Sequence, residues 1–228
     1  MTWENLTADA DALRERLGFE RWAVFGHSFG GHVALEYVLR YPERVSHLVL
    51  ASTAGEGRWA RENAAEVLAA RGWPPDRVEL CRRWFTGGVP PNEAFRALMR
   101  LGPAYYHDPS PWTLARDLLG GGWRIKMRPE ALIFAGRHLL RDWSVMRRLG
   151  EIEAPTLVIA GASDFVFPPE AQAELAAGIR DARLVIIERA GHDPWSERPD
   201  AFFPALRSFL PARTRDPAGV DARTPATR

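Results

Sequence analysis

The feature that most constrains this chain is a Gly-x-Ser-x-Gly pattern at 26–30, with Ser28 at its centre. An apolar run predicts a buried strand over 22–26, and the sequence after the serine predicts a helix over 29–40. A sharp turn between such a strand and helix holds its serine in a strained conformation, with the hydroxyl exposed above the sheet. The glycines on either side of the serine are expected to let backbones pass where a Cβ would clash. The pattern therefore predicts an α/β fold in which Ser28 is a nucleophile.

Length and composition favour one domain with a sizeable core, since the chain has 228 residues of which 46% are apolar. The formal net charge of +1 gives no long-range field that would attract nucleic acid or an anionic membrane. No apolar run approaches the roughly 20 residues of a membrane span, and the polar N-terminus is not typical of a signal peptide. The lone Cys81 excludes an internal disulfide and is expected to be a small buried side chain. These features predict a cytoplasmic enzyme.

The apolar pattern elsewhere alternates between strands and helices. Nearly continuous valine and leucine runs separated by helices indicate a parallel sheet covered on both faces. A first helix is expected to have Thr7 as its N-cap and Gly18 as its C-cap. The further predicted elements are helices over 6–17, 60–71, 76–86, 91–101, 168–178 and 199–210, and strands over 45–51, 156–160 and 183–187.

The middle of the chain does not follow the sheet pattern, because helical stretches alternate there with breaks rich in proline and glycine. The predicted divisions are a first core part over 1–55, a helical cap over 56–149, a second core part over 150–211 and a disordered tail over 212–228. Aromatic residues crowd the cap, and they either pack within it or, in a few cases, line a substrate pocket. They are Trp59, Trp73, Trp84, Phe85, Phe95, Tyr105, Tyr106, Trp112 and Trp123.

Two polar residues follow later strands at the points where those strands end. Asp164 follows the strand over 156–160, and His192 follows the strand over 183–187. Active sites of open parallel sheets form just beyond the carboxyl ends of the strands, where Ser28 also lies. Because a serine hydroxyl is a weak nucleophile, it needs a base, and the base needs an acid to orient it. We therefore predict a catalytic triad of Ser28, His192 and Asp164.

The other histidines are assigned lesser roles. His27 is expected to pack beside the site or support it, whereas His107 and His138 in the cap are expected to be structural or exposed. No spacing is typical of metal ligands, so neither a metal nor another cofactor is expected.

These motifs resemble the α/β-hydrolase superfamily and, within it, the proline iminopeptidase-like branch. The matching stretches are Gly-His-Ser-Phe-Gly-Gly at 26–31, Tyr-Pro-Glu-Arg-Val at 41–45, Leu-Val-Leu at 48–50, the loops at 161–164 and 191–192, and Glu-Arg-Pro at 197–199. The resemblance spans about residues 5–211. It implies that Ser28 is the nucleophile, Asp164 the acid and His192 the base, and that the backbone N–H of Phe29 stabilises an oxyanion.

Two departures concern the substrate. Typical members of that branch carry a Gly-Gly-Ser-Trp-Gly type of turn, whereas Gly-His-Ser-Phe-Gly is common in esterases and lactonases. After the acid stands Phe165, followed by two more apolar residues, where an additional acid would hold a substrate amine. Phe165 and Trp195 are the residues expected to contact substrate.

The superfamily places several strands before the nucleophile strand, and one of them leads into the loop that supplies a second oxyanion N–H. Here 21 residues precede the strand that begins at residue 22. Loss of one such donor typically costs about 10²–10³ in turnover, so weak or absent activity is expected. The strand over 22–26 would also present an unpaired edge, which favours pairing with a second copy or another chain.

Two functions from different classes remain. The first is a serine hydrolase that acts through an acyl-enzyme on a small ester, amide or lactone, or as an aminopeptidase on a short peptide. The second is a catalytically impaired remnant that binds a partner through its sheet edge. A dehalogenase of this superfamily would need Asp at position 28, where this chain has Ser28.

Overall fold

A four-stranded parallel sheet forms the centre of the computed structural model, which describes residues 1–110 and 129–211. The strands lie in the order β1-β2-β3-β4. Their bounds are Trp22–His27 for β1, Val45–Ala51 for β2, Thr156–Gly161 for β3 and Ala182–Ile187 for β4. The parallel sheet predicted from the apolar runs is confirmed, and all six residues of β3 are buried in its interior.

Helices cover the sheet and fill the connection between β2 and β3. They are α1 (Trp3–Arg16), α2 (Phe29–Arg40), α3 (Arg58–Ala70), α4 (Pro75–Phe85), α5 (Ala94–Leu101), α6 (Pro129–Phe134), α7 (Pro169–Gly178), α8 (Pro194–Glu197) and α9 (Pro199–Phe209). Short 3₁₀ turns occur at Pro42–Arg44, Pro91–Glu93, Gly102–Tyr105 and Met146–Glu151, and a π-helical turn at Ala135–Leu139. None of the helices within the described ranges has both the length and the apolarity that a membrane crossing needs.

Alternation along the strands divides the core between the two faces of the sheet. Leu48 and Leu50 of β2 pack with α1, α2 and α7 on one face. Val49 and Ala51 pack on the other face with α9, which contributes the buried Phe202. Because successive side chains of a strand point to opposite faces, a strand covered on both faces is apolar throughout.

The first helix begins earlier than predicted. Its N-cap is Thr2, whose side chain accepts the N–H of Asn5 at 3.3 Å. Thr7 lies inside the helix, where its hydroxyl donates to the carbonyl of Trp3 at 2.9 Å. The extra turn is stabilised by tertiary packing, because the Trp3 ring lies 5.3 Å from that of Trp143. Gly18, predicted as the C-cap, follows the helix end with a φ of 75°.

The inserted segment between β2 and β3 builds an apolar cluster of its own from α3, α4 and α5. Phe165 and the two residues after it join this cluster from the loop that follows β3. The insertion thus packs directly onto the carboxyl end of the sheet. The predicted tail over 212–228, and Trp112 and Trp123, lie outside the described residues.

Candidate active site

Ser28 lies on a strained turn between the end of β1 and the start of α2, with φ 52° and ψ −122°. Its N–H donates to the carbonyl of Ala51, and its own carbonyl accepts from the hydroxyl of Thr53, each at 3.0 Å. A Cβ on Gly26 would lie 2.7 Å from the Cα of Gly31, so this turn requires glycine. A left-handed conformation at a non-glycine residue is held only where neighbouring contacts demand it.

The second glycine of the pattern has a different role from the one expected. An added Cβ on Gly30 would meet no atom within 4 Å, because that residue faces outward from the start of α2. A Cβ on Gly31 would instead lie 2.5 Å from the side chain of Thr53. The close approach of helix and sheet therefore depends on Gly26 and Gly31, and the expectation for Gly30 is wrong.

Asp164 and His192 form a buried hydrogen-bonded pair beyond β3 and β4. The imidazole Nδ1 lies 2.9 Å and 3.0 Å from the two carboxylate oxygens, and the residues are 1% and 2% exposed. One oxygen also accepts the N–H groups of Val166 at 2.8 Å and Phe167 at 3.1 Å. The carboxylate is thus held in place. It favours the tautomer of His192 that carries its proton on Nδ1, which leaves Nε2 as the basic nitrogen.

The surroundings of His192 favour its protonated form, in contrast to two neighbouring histidines. Burial lowers the pKa of His192, but the charge and hydrogen bond of Asp164 outweigh it, so the pKa lies above its ordinary value. Burial lowers the pKa of His27 and His32 to about 3. The 3.5 Å contact between His27 and Asp193 is therefore not an ion pair at neutral pH.

A cavity of about 790 Å³ has both Ser28 and His192 in its wall. The inserted segment supplies most of the remaining lining, and Val166 and Phe167 add an apolar patch from the acid loop. The apolar lining residues of the inserted segment are Ala60, Trp84, Phe85, Leu98, Met99, Pro103, Tyr105, Tyr106, Leu132, Ile133, Ala135 and Leu140. A mostly apolar cavity with a few convergent polar groups is typical of a small-molecule site.

Comparison with known proteins places this arrangement in a family. The chain matches the model of the alpha/beta hydrolase fold family over residues 2–199. It belongs to this family.

Relatives of this α/β hydrolase carry out different reactions. It is 32% identical to a 2-hydroxy-6-oxo-6-phenylhexa-2,4-dienoate hydrolase of Comamonas testosteroni, over 88% of this chain and 66% of that protein. It is 28% identical to a proline iminopeptidase of Pestalotiopsis fici, over 92% of this chain and 74% of that protein. A hydrolase of Bacillus anthracis has the same fold, with a TM-score of 0.71, 20% identity and coverage of 92% and 74%.

The resemblance to the proline iminopeptidase-like branch is therefore confirmed, and the relatives are hydrolases. The chain spans 66% of the length of the first of them.

Neither residue expected to contact substrate lines the cavity of this α/β hydrolase. Phe165 is fully buried, and its ring lies 5.1 Å from Tyr105 in the cluster of the inserted segment. Trp195 packs edge-on against His27, with 4.5 Å between ring centroids, and against Phe202. The apolar wall after Asp164 exists, but the residues just beyond Phe165 form it, because the loop turns that side chain away from the cavity.

The cavity wall includes residues to which the sequence analysis assigned no role, among them His32 and Arg61. His32 lies one helical turn after Ser28, and the i, i+4 spacing on α2 is a signal that could have found it. Arg61 of α3 also lines the cavity, and its guanidinium donates to the carbonyl of Arg141 and to Glu62. Over residues 1–110 and 129–211, no group of three or more His, Cys, Asp or Glu side chains could hold a metal ion.

Proposed function

We propose that this chain is a serine hydrolase with Ser28 as nucleophile, His192 as base and Asp164 as the acid that orients the base. The observation that carries the proposal is the buried Asp164–His192 pair, because His192 and Ser28 lie in the wall of the same cavity. A strained serine, an imidazole with its Nδ1 bound to a carboxylate, and a shared cavity are the parts that acyl transfer requires.

The proposed reaction has two stages. Nε2 of His192 accepts the hydroxyl proton of Ser28 while Oγ attacks the substrate carbonyl, and the backbone N–H of Phe29 stabilises the oxyanion. The imidazolium gives this proton to the leaving group, and the acyl group remains on Oγ. The same imidazole then takes a proton from water, whose oxygen attacks the acyl-enzyme. The imidazolium returns this proton to Oγ of Ser28 as the acid is released.

For the substrate, we propose a small ester or amide with an apolar acyl part. The inserted segment acts as a cap that supplies the acyl pocket, since most of its contribution to the lining is aliphatic or aromatic. The wall formed by Val166 and Phe167 offers no carboxylate for a substrate amine, and Asp193, the acidic residue of the described lining, lies 3.5 Å from His27. These contacts support an ester or simple amide over a peptide N-terminus, although a relative is named as a proline iminopeptidase.

The test compares hydrolysis of p-nitrophenyl butyrate with that of a prolyl p-nitroanilide by the wild type, Ser28→Ala and Ser208→Ala. Ser208 is an exposed serine of α9, so its variant makes the same chemical change away from the cavity. We expect Ser208→Ala to retain ester hydrolysis and Ser28→Ala to lose it. The turnover of Ser28→Ala should fall by more than about 10³-fold, since loss of the nucleophile in a serine hydrolase can cost roughly 10⁶-fold. Equal turnover by both variants would contradict the proposal, and the absolute rate tests the expected weak activity.

A second candidate function is association of two copies through β1. In the described part of the chain β1 is an outer strand, and its Phe25 is 49% exposed. Beside it lies an apolar groove of about 380 Å³ between Ala10 of α1 and Val33 of α2. An unpaired apolar edge favours strand pairing, so sedimentation should show a mass that rises with concentration, and Ala23→Lys should abolish this rise.

A further inference from the structure

One carboxylate joins the inserted segment to the loop that carries His192. The Oε1 atom of Glu197 accepts the N–H groups of His107 at 2.8 Å and Asp108 at 3.2 Å. Its Oε2 atom accepts the N–H of Gly191, the residue just before His192, at 2.6 Å. Hydrogen bonds to an ionised acceptor are about twice as strong as neutral ones, so this junction is a firm connection.

The segment 105–108, which we call the strap, also contacts the histidine loop directly. The N–H of His192 donates to the carbonyl of Tyr105 at 2.7 Å. A Cβ on Gly191 would overlap the same carbonyl, so the loop follows the strap at the closest approach that backbones allow. From the opposite side, the carbonyl of His192 lies 3.0 Å from Nε2 of His27.

The strap reaches the acid loop as well. Nδ1 of His107 lies 2.7 Å from the hydroxyl of Ser163, which directly precedes Asp164. Asp164 itself is held by the N–H groups of Val166 and Phe167. The acid therefore has supports of its own within its loop. The backbone of the histidine loop is held by the strap and Glu197 and, from other sides, by His27 and by the N–H of Ser163, which donates to the carbonyl of Ala190 at 2.8 Å.

We propose that Glu197 is a positioning residue, whose carboxylate holds the His192 loop against the strap so that the imidazole stays aligned with Asp164. The proposal rests on the function assigned above to His192. Glutamine at position 197 would keep the shape but replace one acceptor oxygen by an amide NH₂, which would face a backbone N–H. Either the histidine loop or the strap would then lose its contact.

A shift of the histidine loop has a measurable electrostatic consequence. The titratable groups that face His192 are Asp164, Asp193, His27, His32 and Tyr105. Burial lowers the pKa of His192, and the proximity of Asp164 is the main influence that raises it. If the imidazole moves away from Asp164 while it stays buried, the pKa of His192 falls.

The experiment compares the wild type with Glu197→Gln and with Glu188→Gln, a matched control. Glu188 is exposed near the end of β4, so its variant removes the same charge without touching the strap. For each protein, kcat and KM for p-nitrophenyl butyrate are measured from about pH 5 to about pH 9. The pKa of His192 and its Nδ1 proton are followed by NMR in the resting protein, which needs no activity.

For Glu197→Gln we expect kcat to fall by about 10-fold to about 100-fold, with KM near its wild-type value. The pKa of His192 should fall and its Nδ1 proton should move upfield or exchange with water, while Glu188→Gln matches the wild type. A folded Glu197→Gln protein with unchanged kcat, pKa and Nδ1 proton would overturn the proposal.

Glu197→Asp is the second variant, because it keeps the charge but is too short to reach both segments. As in Glu197→Gln, both kcat and the pKa of His192 should fall. Loss of the folded state in both variants would overturn a role limited to positioning. A wild type that hydrolyses no ester would refute the proposed function instead, and the NMR comparison would still decide the role of Glu197.

Discussion

The imidazole Nδ1 of His192 lies 2.9 Å from a carboxylate oxygen of Asp164, and both side chains are almost fully buried. Loops after two neighbouring strands bring them together, although they stand 28 positions apart in the chain. This contact decides which ring nitrogen carries the proton, and therefore whether Nε2 can act as a base towards Ser28.

Asp164→Asn should lower kcat by about 10⁴-fold, because an amide at this position no longer selects the tautomer with the proton on Nδ1. The variant should keep its fold, since the amide oxygen can still accept the N–H groups of Val166 and Phe167. Kinetics beside Asp181→Asn, an exposed aspartate before β4, provide the control. A loss below about tenfold for Asp164→Asn would argue against the assigned role.

The pH dependence of kcat/KM should have an acid limb set by His192. Catalysis needs its neutral imidazole, and Asp164 holds its pKa above the ordinary value of 6.5. Activity should therefore rise with pH through a midpoint above 6.5. The raised pKa also stabilises the folded protein. This contribution is fully present below pH 6.5 and is lost as the pH rises through the raised pKa. A midpoint below 6.5 would be inconsistent with the burial and pairing described.

His32 should make the fold sensitive to acid. Both of its ring nitrogens are buried and have no hydrogen-bond partner among the described residues, and burial lowers its pKa to about 3. Below about pH 6.5 the imidazole is protonated in the unfolded chain but stays neutral in the folded protein. Each further pH unit therefore lowers the free energy of unfolding by about 1.4 kcal/mol. His32→Phe should flatten the fall in unfolding free energy between about pH 6 and about pH 4.5. Urea unfolding at several pH values, with the exposed His138→Phe as control, measures the difference.

The two glycines of the Gly-x-Ser-x-Gly pattern should respond in opposite ways to alanine. At Gly26 an added Cβ would meet the backbone of Gly31, whereas at Gly30 it would meet open space. Gly26→Ala should cost about 1–3 kcal/mol and displace Ser28, and Gly30→Ala should keep both stability and activity. Thermal unfolding and ester hydrolysis of the two variants test this, and equal behaviour would refute the steric account of the turn.

The sheet and the contact between Asp164 and His192 could be predicted because their signals are local. Apolar runs mark β1 to β4, and Ser28, Asp164 and His192 lie in the turns or loops that follow strand ends. The early start of α1 could not be predicted, since the Trp3 ring packs against Trp143, far along the chain. The orientation of Phe165 depends in the same way on Tyr105, which the inserted segment brings to it.

The contacts of Glu197 with the strap could not be predicted from the sequence either. The Glu-Arg-Pro motif marks it as a helix start, but its partners His107 and Asp108 lie about 90 positions away. A contact between the inserted segment and the loop that carries His192 leaves no periodic pattern in either stretch. Such a contact is visible only once the fold has placed the two segments side by side.

The most direct test of the central claim is labelling by a fluorophosphonate, which forms a bond from Oγ of an activated serine to phosphorus and releases fluoride. Intact-protein mass and peptide mapping would be measured for the wild type, Ser28→Ala and His192→Ala. The proposed triad predicts a single adduct on Ser28 that is lost in Ser28→Ala and forms far more slowly in His192→Ala. A folded wild type that takes no label, or a Ser28→Ala protein labelled equally fast, would contradict it.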